Sequence, residues 1–166
     1  MTPLGAAVRG LAAAAVGTAA MDAGEYAAYR SRGGRSRPLE WEFRGVNNWD
    51  QAAAPGKVGH RLLDCWTQEE IPSEWAGLVN NVVHWGFGIS WGLAYGLIAG
   101  SISRHPPVIL GLPYGVGVWL FGYIVLPLGH FYKPIWDYDA STLGKDLLSH
   151  LVYGSVTGLT FRFMAD

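Results

Sequence analysis

A chain of 166 residues with a formal net charge of −1 has room for one domain and lacks the basic field that holds nucleic acid. Charged residues make up only 15%, while Gly (23) and Trp (8) are abundant, the balance of membrane helices that pack through small residues and end in interfacial Trp. The single Cys65 excludes an internal disulfide and any cysteine-rich metal site.

Leu4 to Met21 is apolar apart from Arg9. Gly10, Ala13, Gly17, Ala20 and Gly24 recur at steps of three and four, a seam for close helix packing. A first membrane helix is therefore predicted over residues 4–29, with Asp22 and Glu25 in its last turns. A charge, an Ala-rich core and small residues also fit a secretory signal over residues 1–24, but a cleaved leader has no use for a patterned seam. Arg30, Arg32, Arg35 and Arg37 follow directly. By the positive-inside rule they put the segment 30–74 in the cytoplasm and both termini outside it. Within that segment Pro55 to Trp66 reads as a short interfacial amphipathic helix, with Val58, Leu62, Cys65 and Trp66 on one face. His60 reads as a solvated residue.

Trp75 to Ser103 is the longest uncharged run, and a second span is predicted over residues 75–103. Arg104-His105-Pro106-Pro107 predicts a tight turn. A third span follows over 108–129, with Pro113 and Pro127 as kinks and Gly111 and Gly115 four apart. A polar, aromatic loop opens at His130. The fourth span is placed at 144–164, with Ser141 and Thr142 as candidate caps. The expected fold is all-α: an integral membrane four-helix bundle in a single domain, residues 1–166, with the interfacial helix between spans 1 and 2.

Span 2 carries Asn80, His84, Gly88, Gly92, Gly96 and Gly100 at steps of four; span 4 repeats the opening as Asp146, His150, Gly154 and Gly158. Residues four apart are neighbours on a helix, so Asn80 is placed to hold the ring of His84, and Asp146 that of His150. The glycines after them allow another backbone to approach, within the chain or from a second copy. Antiparallel spans bring Asp22, Glu25, His84, His130, Asp146 and His150 into one half of the bundle. Ionisable groups inside a membrane are costly, which marks this half as a candidate site.

Three readings of that site stand side by side. A chain of His and Asp suits proton or ion handling. His84, His130 and His150 with carboxylates suit a divalent metal, and two facing His suit a haem. Alternatively the imidazoles only hydrogen-bond across helices, and the protein is a packing or assembly subunit. No hydrolytic nucleophile has a base and an orienting partner, and Gly86-Phe87-Gly88 is far from a phosphate loop, so no enzyme class is indicated.

Val83-His84-Trp85, the loop from His130 to Tyr138 with Pro134 and Trp136, and His150-Leu151-Val152-Tyr153 resemble the YagU-like family of bacterial inner-membrane proteins, over about residues 78–160. The resemblance implies a multi-pass protein of the plasma membrane, with the bilayer as its partner and the three His as a set. It implies no catalytic assignment.

Overall fold

The structure, a computed structural model, describes residues 1–102 and 108–165. Ser103, the predicted turn Arg104–Pro107 and Asp166 lie outside the described residues. The regular elements described are all helical: α1 (Pro3–Ser31), α2 (Pro38–Arg44), α3 (Ala54–Thr67), α4 (Ala76–Ile102), α5 (Gly111–Leu128) and α6 (Ala140–Ala165). Short 3-10 turns lead into α4 and α5 and interrupt the loop before α6.

Local chemistry sets the ends. Thr2 Oγ1 accepts from the Gly5 N–H at 3.1 Å, and Pro3 opens α1, where its missing N–H costs nothing. After α1 the chain turns at Gly33, whose φ of 91° suits glycine. The Tyr29 hydroxyl then accepts from the N–H groups of Arg35 and Ser36 at 3.1 and 3.2 Å, which folds the arginine loop back on α1. At α6 the cap is Asp139, not Ser141 or Thr142. Its carboxylate accepts from the Thr142 N–H at 2.9 Å and the Thr142 hydroxyl at 2.7 Å. An ionised carboxylate beside the free N–H groups of a helix start is a stronger acceptor than a hydroxyl.

Among the described residues three helices are long and apolar enough to cross a membrane: Pro3–Ser31, Ser73–Ile102 and Val108–Leu128. The fourth predicted span is helical throughout, inside α6, but it is not one of these three. Lys145, Asp146 and Arg162, with several Ser and Thr, lower its hydropathy.

α1 lies against both α4 and α6, α5 lies against α6, and α3 lies against α4. Glycine makes these contacts close. A Cβ added at Gly92 would stand 2.5 Å from Ala14 Cβ and 2.8 Å from the Gly10 carbonyl carbon. One added at Gly154 would stand 2.7 Å from Gly115 Cα, and one at Gly158 3.0 Å from Gly111 Cα. Carbon atoms need about 3.5–4.0 Å. Gly96 likewise abuts the Ala6 carbonyl, and a Cβ at Gly88 would meet Thr18 Oγ1 at 2.5 Å. The glycine faces offered above to a second copy are thus filled within the chain. Small buried cores grow around these seams: Ala13, Tyr95, Ala99 and Phe161 form one, and Ala14, Met21, Val118 and Tyr153 another.

α3 covers the predicted amphipathic segment but docks by a different face. Gly56 and Gly59 are buried against Asn80, Val79 and Val83 of α4. Two glycines allow a closer approach than the larger side chains would, so Leu62 (64% exposed), Cys65 and Trp66 (85% exposed) remain outside. His60 is not simply solvated; it stacks on Trp49 with ring centroids 4.0 Å apart and lies 3.5 Å from Asp64.

Candidate functional site

A cavity of about 1030 Å³ lies at the end of the molecule that carries the α1–α4 connection. Its walls come from the second half of α1, the starts of α4 and α6, and the second half of α5; α2 and the start of α3 close over it. Asp22, Asn80, His84, Asp146 and His150 all line it, and His130 does not.

Its centre is a contact between α1 and α4. His84 Nε2 lies 2.9 Å from Asp22 Oδ1, and both side chains are largely buried. The second carboxylate oxygen, Asp22 Oδ2, is buried with no hydrogen-bond partner among the described residues. One helical turn further along α1, Glu25 lies near Ser149 of α6. Asp146, also on α6, lies near Tyr123 of α5. Four helices therefore supply polar groups to one volume. Tyr132, in the loop after α5, adds a phenol. Burial, reinforced by the negative charge of Asp146, pushes its ionisation well above the ordinary range, so it meets the cavity as a neutral O–H.

The side-chain pairings differ from the expected ones at three points. Asn80 does not hold His84: its Oδ1 accepts from the Gly56 N–H at 3.0 Å and so satisfies the start of α3. His84 takes Asp22 from α1 instead. His150 does turn back toward Asp146, but Nδ1 lies 2.8 Å from the Asp146 carbonyl oxygen and 3.5 Å from its carboxylate. The carboxylate lies near Tyr123 of α5. His130 sits past the end of α5 in a left-handed conformation (φ 60°), in a turn where its N–H reaches the Pro127 carbonyl at 3.0 Å. Arg61 Nη1 pins that turn by donating to Gly129 O at 3.0 Å.

The metal set His84, His130 and His150 is therefore not assembled. Among the described residues no three His, Cys, Asp or Glu side chains are grouped as metal ligands. His130 does not line the cavity, and the other two imidazoles have separate partners, Asp22 for His84 and Asp146 for His150.

Several lining groups gave no signal in the sequence. Glu42, in α2, accepts hydrogen bonds from Asn81 Nδ2 and, at 3.4 Å, from Trp85 Nε1. That ties the arginine-loop segment to the start of α4. Tyr153 donates to the Gly88 carbonyl at 2.7 Å, and its oxygen lies 2.9 Å from that of Tyr114. This strut joins α4, α5 and α6 at the floor of the cavity. A tyrosine inside an apolar helix reads as packing, and only the approach of Gly88 reveals its partner. Comparison with family models, curated proteins and solved structures finds no match for this chain.

Proposed function

We propose that this chain is a multi-pass protein of a bacterial plasma membrane in which α1, α4, α5 and α6 form a four-helix bundle, and that the Asp22–His84 pair handles protons or ions. The pair itself carries the reading. It joins two helices that are each long and apolar enough to span a bilayer, and the carboxylate keeps one buried oxygen with no partner among the described residues. Groups of this kind are expensive inside a membrane, and they mark proton and ion routes more often than packing. A proton moving between Asp22 and His84 converts an ion pair into a neutral pair; a proton gained or lost changes the charge next to the cavity. α6 is less apolar than the other three, but it contacts α1 and α5 along its length, which suits a helix turned toward protein. The arginines after α1 support a cytoplasmic position for the cavity end. The likeness of Val83–Trp85 and His150–Tyr153 to the YagU-like family supports the same location.

The test is proton flux into liposomes that contain the purified protein, driven by a potassium gradient and read with an internal pH dye. Wild type and His130→Gln are expected to conduct alike. Asp22→Asn and His84→Gln are expected to fall to the level of protein-free liposomes. Flux that survives both changes, or a wild type no faster than empty liposomes, overturns the proposal.

A further inference from the structure

The cavity is much larger than a proton or a bare ion requires. At about 1030 Å³ it matches the upper end of small-molecule pockets, which run to about 1,000 Å³. Its lining is also one-sided in charge. Asp22, Glu25, Glu40, Glu42 and Asp146 face it, and among the described residues that line it there is no Lys or Arg. Glu40 and Glu42 have neutral donors: the Arg37 N–H for Glu40, and Asn81 and Trp85 for Glu42. Asp22 differs, since only one oxygen is engaged, by His84, while the other is buried with no partner among the described residues. A buried acceptor left in that state is costly, more so when charged, and a ligand that brings a positive charge would relieve it.

The remaining wall is aromatic. Tyr29 and Trp41 stand with ring centroids 6.2 Å apart on one side, and Tyr123 and Tyr132 with centroids 5.2 Å apart on another. Aromatic faces attract cations, most strongly where water is excluded. A negative, aromatic, roomy chamber disfavours an anion by charge. It disfavours a neutral apolar molecule because Asp22 would stay unsatisfied.

We infer that the cavity is a binding site for an organic ammonium ion, its cationic centre beside Asp22 and Glu25 and its body on the aromatic walls. This rests on the reading of Asp22 as an ion-handling group and names the class of ion.

The experiment uses the full chain in lipid nanodiscs at fixed pH. The probe is benzyltrimethylammonium, with its uncharged isostere neopentylbenzene as control, and the readout is quenching of tryptophan fluorescence, since Trp41 and Trp119 line the cavity. Saturable quenching by the cation is expected, with affinity roughly tenfold weaker for the isostere and roughly tenfold weaker in Asp22→Asn. Glu25→Gln provides a second variant, expected to weaken the cation in the same direction, should Asp22→Asn fail to fold. No saturable signal in wild type, equal affinity for cation and isostere, or unchanged affinity in a folded carboxylate variant each overturns the inference. Proton flux in liposomes is read without the cation, so the proton reading stands or falls separately.

Discussion

Gly92→Ala is the sharpest probe of how this molecule is held together. The added methyl would stand 2.5 Å from Ala14 Cβ and 2.8 Å from the Gly10 carbonyl carbon, and the Gly10 carbonyl oxygen is nearer still. The obstacles are backbone and a Cβ, so no rotamer change relieves them and α1 must move away from α4. Overpacking of this kind costs about 1–3 kcal/mol, and rigid neighbours place it near about 3. Alanine is a better helix former than glycine by about 1 kcal/mol, which leaves a net loss of about 2. Gly86→Ala on the same helix is the matched control. A Cβ there meets nothing within 4 Å, so that variant keeps the propensity gain of up to about 1 kcal/mol with no overpacking. The two variants are therefore expected to differ by about 3 kcal/mol in opposite directions from wild type. Unfolding in mixed micelles of increasing denaturing detergent, followed by far-ultraviolet circular dichroism, measures this. A Gly92→Ala protein as stable as Gly86→Ala would refute the close packing of α1 on α4.

Further outcomes follow from named contacts. Tyr153→Phe, which deletes the hydroxyl bonded to Gly88 O at 2.7 Å, is expected to lose about 1 kcal/mol in the same unfolding assay, and Tyr114→Phe less, because Tyr153 keeps its carbonyl partner. Cys65 is the only cysteine and is exposed, so a membrane-impermeant thiol reagent is expected to label it in opened cells and not in intact ones; prompt labelling of intact cells would reverse the orientation taken from the arginines. The hydrogen bonds from Thr142 hold the Asp139 carboxyl below its ordinary range. Its contribution to α6 is therefore complete above the unfolded carboxylate value and lost as pH falls through the lowered one. Asp139→Asn is expected to flatten the acid limb of the unfolding profile, and an unchanged limb would remove Asp139 as the cap.

The sequence exposed the long helices because their signals are local. An uncharged run from Trp75 places α4 to within a residue or so of its observed start, and the arginines after Tyr29 mark the end of α1. The meeting of Asp22 with His84 was also legible, since antiparallel order puts the end of α1 beside the start of α4. Pairing was not. Asn80 and His84 are neighbours on one helix, yet each is taken by a different partner, Gly56 and Asp22, and the choice depends on where α3 docks. That docking is set by Gly56 and Gly59, whose small size is invisible to a reading that looks for an apolar face. His130 failed for a related reason: it sits in a left-handed turn after α5 and does not line the cavity.

The glycines and the cavity are two parts of one arrangement. α1 and α4 run antiparallel, with Gly10 against Gly92 and Gly96 at one end and Asp22 against His84 at the other. α5 and α6 repeat this, with Gly111 and Gly115 against Gly154 at the first end and Tyr123 against Asp146 at the second. The close contacts stop where the glycines cease to face a neighbour: a Cβ at Gly24, Gly86 or Gly144 meets nothing within 4 Å. Helices held close at one end and crowded by Tyr, Trp and Phe at the other must diverge, because helix separation follows the side chains between them. Asp22 and His84, in the wide part, then pair with each other across the opening. On this account a glycine far from the cavity controls its width. Gly154→Ala, which would bring a methyl to 2.7 Å from Gly115 Cα, is expected to push α5 from α6 and lengthen the Tyr123–Asp146 contact. Spin labels on exposed positions of the two helices at the cavity end would report the change as a longer distance. An unaltered distance in a folded Gly154→Ala protein would show that the cavity is shaped by its own lining and not by the seam.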